Sequence, residues 1–171
     1  MKKTAFFVLG LIATFSGTLT AGGRECVNVS GTVLEVTVPV PPQNPPRVAG
    51  PVNGSLNGAI TAFIIEFNPQ LDGKIQLVTQ ETFVTGPGDT LTTSGAAVLT
   101  PMPNRPPGDF NDVLTLTVTG GTGRWAGASS GKIVLTGKGY NFFDPEQGNA
   151  YFQLSYRGTV CRERRDRRDD D

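Results

Sequence analysis

The chain has 171 residues, with 22 Gly, 13 Pro, 20 Thr, 2 Cys and no His, and its formal net charge is zero. Without histidine there is no Ser-His-Asp or Cys-His nucleophile pair, no His-ligated metal and no ordinary near-neutral proton shuttle. Balanced charge with no basic patch among aromatics argues against nucleic acid as a partner, so chemistry is left to carboxylates, tyrosine, lysine and arginine.

The chain opens on Met1-Lys2-Lys3, followed by an apolar run over 5–13 and a small, polar stretch over 17–23. That order predicts a secretory signal peptide over 1–23, cleaved after Ala21 or Gly23, and a secreted or periplasmic protein. No other segment is long and apolar enough for a membrane span. Gly23-Arg24-Glu25 lacks the small apolar run that precedes a lipid-modified cysteine. About 150 residues remain, read as a single domain over 24–161 that buries roughly 70% of the unfolded chain's surface. Cys26 and Cys161 stand at its two ends, and an even count in an oxidising compartment predicts one disulfide. A redox or metal-binding pair would normally be close in sequence.

Period-two alternation rich in Thr, Val, Ile and aromatics recurs over 27–38, 56–67, 74–85, 89–100, 113–119, 132–143 and 149–161. Seven such segments without a helical pattern predict an all-β sandwich or barrel, and connections such as 68–73 and 86–88 are short enough for antiparallel hairpins. Two connections are proline-rich: 39–51 holds six prolines and 101–109 four. Proline cannot donate to a ladder, so both are expected as stiff surface loops, either spacers or the rim of an opening that gates a ligand.

The segment 120–131 (GGTGRWAGASSG) imitates three phosphate or nucleophile motifs. The dinucleotide fingerprint needs a helix that cannot fit before the next strand. The nucleophile elbow around Ser129 has no histidine. The phosphate-loop spacing is one residue short and runs into Ile133. Gly120, Gly121, Thr122, Gly123 and Gly127 read instead as a structural turn, with Trp125 covering an end of the core. The chain closes on 162–171 (RERRDRRDDD), five basic and five acidic residues expected to form a disordered, solvated tail.

GGTGRWAGASSG, together with the segments ETFVT at 81–85, DTLTT at 89–93 and YRGTVC at 156–161, resembles the allene oxide cyclase and dirigent-like superfamily, especially its small secreted bacterial members. The resemblance covers most of 55–161. It implies a closed antiparallel β-barrel of about eight strands with an internal cavity, a cofactor-free isomerase or cyclase activity, and a dimer or trimer. The plant enzymes' functional residues do not map onto this chain, so none is carried over.

Alternation nominates interior groups independently. Ile75, Leu77, Thr79, Glu81 and Phe83 share one face, which puts Glu81 among apolar side chains, where a carboxyl has a raised pKa and can act as general acid or base. Glu66 shares a face with Ile60, Ala62 and Ile64, and Tyr156 with Phe152, Leu154 and Val160, so Glu81, Glu66 and Tyr156 are the candidate catalytic residues. Neither a cofactor nor a metal is expected: Asp109, Asn111 and Asp112 lack the next oxygen ligand where Val113 stands. The sequons at Asn28 and Asn53 matter only in a eukaryotic secretory pathway. Two functions stay open: binding an apolar small molecule in the barrel, guiding its cyclisation or coupling, and a non-catalytic envelope or surface scaffold.

Overall fold

A computed structural model describes residues 23–38, 47–86, 88–142 and 150–163. The expected signal peptide up to residue 22, residues 39–46 of the first proline segment and residues 164–171 of the expected tail lie outside them. The chain forms eight strands: β1 (Arg24–Val38), β2 (Arg47–Gly54), β3 (Gly58–Pro69), β4 (Ile75–Thr85), β5 (Asp89–Pro101), β6 (Phe110–Gly121), β7 (Ala128–Tyr140) and β8 (Tyr151–Glu163). Each strand pairs antiparallel with the next, and β1 pairs with β8, so hydrogen bonding runs round one sheet as a ring. Among the described residues the only helical element is a single 3₁₀ turn, Gly123–Trp125. No described helix is long and apolar enough to cross a membrane, which says nothing of a membrane-spanning ring of strands.

Each of the seven expected segments contains a strand, residues 143 and 149 at the ends of two of them lying outside the described residues, and the difference lies in an eighth strand. The first proline segment was expected as loop through residue 51, yet β2 begins at Arg47 and carries Pro51 facing solvent. Val48 and Val52 point inward on β2, and that burial outweighs the one ladder donor missing at Pro51. The expected tail is likewise shortened, because Arg162 and Glu163 complete β8. Arg162 pairs with Glu25 across the β1–β8 seam at 3.1 Å and donates to the Arg124 carbonyl at 2.8 Å, which anchors the strand end. β7 stops at Tyr140, before the expected 143, where Asn141 adopts a left-handed φ of 57°.

The core lies inside the ring. β4 alternates buried and less buried residues without a break from Ile75 to Thr85, and Leu91, Leu99, Leu114, Leu116, Ile133 and Leu135 project inward from β5, β6 and β7. Each fully buried side chain of this size contributes about 1.5–3 kcal/mol. At one end Trp125 closes the core, its indole N–H donating to Thr85 Oγ1 at 2.9 Å. At the other, Phe142 stacks on Phe67 with centroids 6.1 Å apart and meets Phe110 and Phe152 edge-on at 5.9 and 6.0 Å. Because strands alternate in direction, the C-terminal ends of β1, β3, β5 and β7 lie at this aromatic end. The second proline-rich connection, between β5 and β6, therefore belongs to this aromatic end.

Candidate functional site

Three carboxyl groups project into the apolar interior: Glu35 from β1, Glu81 from β4 and Asp112 from β6, exposed by 4%, 1% and 5%. Glu81 sits where alternation put it. Its Oε2 accepts from the Thr93 hydroxyl at 2.6 Å and its Oε1 from the Thr79 hydroxyl. Gly95, paired with Thr79 on β5, makes room for this arrangement: a Cβ there would lie 2.6 Å from Glu81 Oε1 and closer still to Thr79 Oγ1. Burial raises the Glu81 pKa, and the two hydroxyl donors oppose the rise by stabilising the charged form.

Glu35 and Asp112 lack such partners. Glu35 Oε1 and Asp112 Oδ1 are buried and accept no hydrogen bond. Burial raises Glu35 to about 8, with smaller contributions from the charges of Asp112 and Glu81, and raises Asp112 to about 7. Both neighbours are thus within electrostatic reach of Glu35. In neutral solution the interior holds a largely protonated Glu35, able to donate a proton, while Glu81 is the interior acid whose oxygens both accept hydroxyl hydrogen bonds. Glu35 stands directly opposite Phe152, and Asp112 lies one inward step from Phe110, so both sit beneath the aromatic end.

The other two candidates are placed differently. Glu66 faces solvent, because a β-bulge between Ile64 and Glu66 inserts one residue into β3 and reverses its faces. Before the bulge Ile60 and Ala62 point inward; after it Phe67 shares the face of its partner Leu77, although at the strand end it stays 44% exposed. Tyr156 is inside and 2% exposed, but its hydroxyl is committed to the backbone. It accepts from the Leu56 N–H at 2.8 Å and donates to the Asn53 carbonyl at 3.1 Å, fastening the β2–β3 turn to β8. Tyr156→Phe keeps the ring and strands that buried N–H, so unfolding free energy in urea should fall by about 1–3 kcal/mol. A change below about 0.5 kcal/mol would show that another acceptor replaces the hydroxyl.

Glu35 and Asp112 are further interior groups, and period two marks both. Glu35 continues the face of Val29 and Val33, and Asp112 that of Phe110, Leu114 and Leu116. The alternating segment expected over 113–119 starts one residue after Asp112, so parity does not orient it until β6 is seen to begin at Phe110. Of the turn residues, Gly120 and Gly121 end β6, while Gly123 takes a φ of 56° and Gly127 one of 81°. At Gly123 a Cβ would also collide with the Asp89 carboxylate, so glycine is required there twice over. No group of three metal-binding side chains is assembled among the described residues.

No protein-family model, no curated protein and no solved structure matches this chain.

Proposed function

We propose that the ring is an exported, secreted or periplasmic barrel of the allene oxide cyclase and dirigent kind, which takes a small apolar molecule bearing an oxygen atom against Glu35 and Asp112 and steers its isomerisation or cyclisation without a cofactor. The observation that carries this reading is the pair of nearly fully buried carboxyls, each with an oxygen that no protein group satisfies. A buried polar group left unpartnered costs about 1–3 kcal/mol, and a ligand that supplies the missing partner repays that cost on binding. The GGTG segment and its flanking strands support the same family reading through sequence resemblance.

The chemistry follows from the protonation states. A neutral Glu35 donates a hydrogen bond to a carbonyl, ether or epoxide oxygen and hands over its proton as charge develops there. Glu81, held by Thr79 and Thr93, accepts a proton from the same molecule. The apolar walls hold the substrate in one conformation and keep water from competing.

Native mass spectrometry of the exported protein, purified without denaturant, tests the reading. The expected result is a retained small molecule that is lost from the double variant Glu35→Gln/Asp112→Asn, with the strand signature in circular dichroism unchanged. A ligand-free wild type that also takes up none of a panel of apolar epoxides and phenols would overturn it in favour of a non-catalytic scaffold.

A further inference from the structure

The second proline-rich connection borders a feature outside the ring. Met102, Pro103 and Arg105 from the 102–109 loop, with Asn111 on β6 and Lys138 and Tyr140 on β7, frame an open hollow of about 490 Å³. That is within the range of small-molecule sites, roughly 300–1,000 Å³. It lies on the outer face, so it is separate from the interior acids: Asn111 and Lys138 are direct cross-strand partners whose neighbours Asp112 and Gly137 form the next pair.

The hollow is built before any ligand arrives. The loop closes on itself through the Met102 N–H to the Asp109 carbonyl at 3.0 Å and the Asp109 N–H to the Pro106 carbonyl at 3.2 Å. Asp109, 5% exposed, accepts the Arg105 Nε and Nη2 at 3.0 Å through Oδ2, and the Asn141 N–H at 3.3 Å through Oδ1. This buried carboxylate aims one edge of the guanidinium and leaves Nη1 outside the pair. Tyr140 is held by stacking on Tyr151, with centroids 4.8 Å apart. Among the described residues Lys138 makes no hydrogen bond and no ion pair.

We infer that this hollow is a second binding site, for a singly charged carboxylate on a polyhydroxylated ring, that is, an acidic sugar of the hexuronate class. One guanidinium already balanced by Asp109 and one free ammonium suit a carboxylate better than a doubly charged phosphate. The Asn111 amide and the Tyr140 hydroxyl offer donors and acceptors to ring hydroxyls, and Met102 and Pro103 give an apolar wall for the ring's C–H face. The loop prolines keep the wall stiff, which lowers the ordering cost of binding.

Titration of the full protein with trigalacturonic acid, followed by calorimetry and by amide shifts, tests the site. Saturable binding is expected, weakened at least tenfold by methyl esterification of the sugar, by Lys138→Gln and by raising salt to 0.5 M. Lys138 is a surface residue outside the core, so its variant should unfold at the wild-type midpoint, and Arg105→Gln gives an independent second lesion. Equal binding of the neutral ester, equal binding of inorganic phosphate, or no binding of the acid at millimolar concentration would each overturn the proposal. None of these outcomes bears on the interior site, which Glu35→Gln/Asp112→Asn addresses separately.

Discussion

Raising the pH from 5 to 9 is expected to destabilise the fold by several kcal/mol, the reverse of the usual behaviour of carboxyl groups. Glu35 rises from an ordinary value of 4.5 to about 8 in the folded protein, and Asp112 from 3.8 to about 7. Between each pair of values the folded state binds a proton that the unfolded state has lost, so stability is highest below the unfolded value and falls as pH climbs to the folded one. The slope approaches about 1.4 kcal/mol per pH unit for each group, and above the folded value the penalty is complete. A salt-bridged surface acid, by contrast, adds stability as pH rises.

Urea unfolding from pH 5 to 9 measures the effect. Glu35→Gln removes its share and should make the variant more stable than wild type at pH 9, with the difference shrinking toward pH 5. A wild-type stability that is flat or rising between pH 5 and 8 would show that these carboxyls ionise freely, and with it the acid–base chemistry proposed for the interior would fail. The same experiment reports ligand capture, because a molecule bound against protonated Glu35 should be released over the same window.

Opening the Cys26–Cys161 disulfide is the other change with a large expected effect. The bond spans 135 residues of sequence and joins directly opposed residues on β1 and β8, the strand pair that completes the ring. In the chain-entropy model a loop of that length restricts the unfolded state by about 5 kcal/mol. Domains of this size are stable by only about 5–15 kcal/mol, so the loss is a large fraction of the total. Cys26→Ser/Cys161→Ser should therefore lower the urea midpoint sharply, and dithiothreitol should do the same to wild type. Equal midpoints for the reduced and oxidised forms would show that the β1–β8 ladder alone holds the seam. The Glu25–Arg162 pair beside the bond is only half-buried and adds little once it is cut.

The two predictions draw on features of different legibility. The disulfide could be expected from two cysteines at the ends of an exported domain. Glu81 could be placed because β4 alternates without interruption, so parity alone orients its side chain. Glu66 could not be oriented by that rule, since one inserted residue at the Ile64–Glu66 bulge changes the parity of everything after it. Asp112 required the true start of β6, which lies three residues before the expected one, at Phe110. Alternation turns Tyr156 inward, but the engagement of its hydroxyl by Leu56 and Asn53, a hundred residues away in sequence, belongs to no local pattern.

By itself, the sequence determined that the chain is made of antiparallel strands and that the catalytic repertoire excludes histidine, because alternation and residue inventory are local properties. It located the second proline-rich connection, because proline acts through its own covalent geometry, but not the first, where burial of Val48 and Val52 makes 47–51 part of a strand. Only the tertiary structure decided the residue-by-residue register in which β1 meets β8, that the second proline segment lies at the aromatic end, and that three carboxyls from three distant strands face one interior. Those facts depend on register, on bulges and on closure of the ring. They bring together groups separated by dozens of residues, and their proton affinities exist only once the strands around them have excluded water.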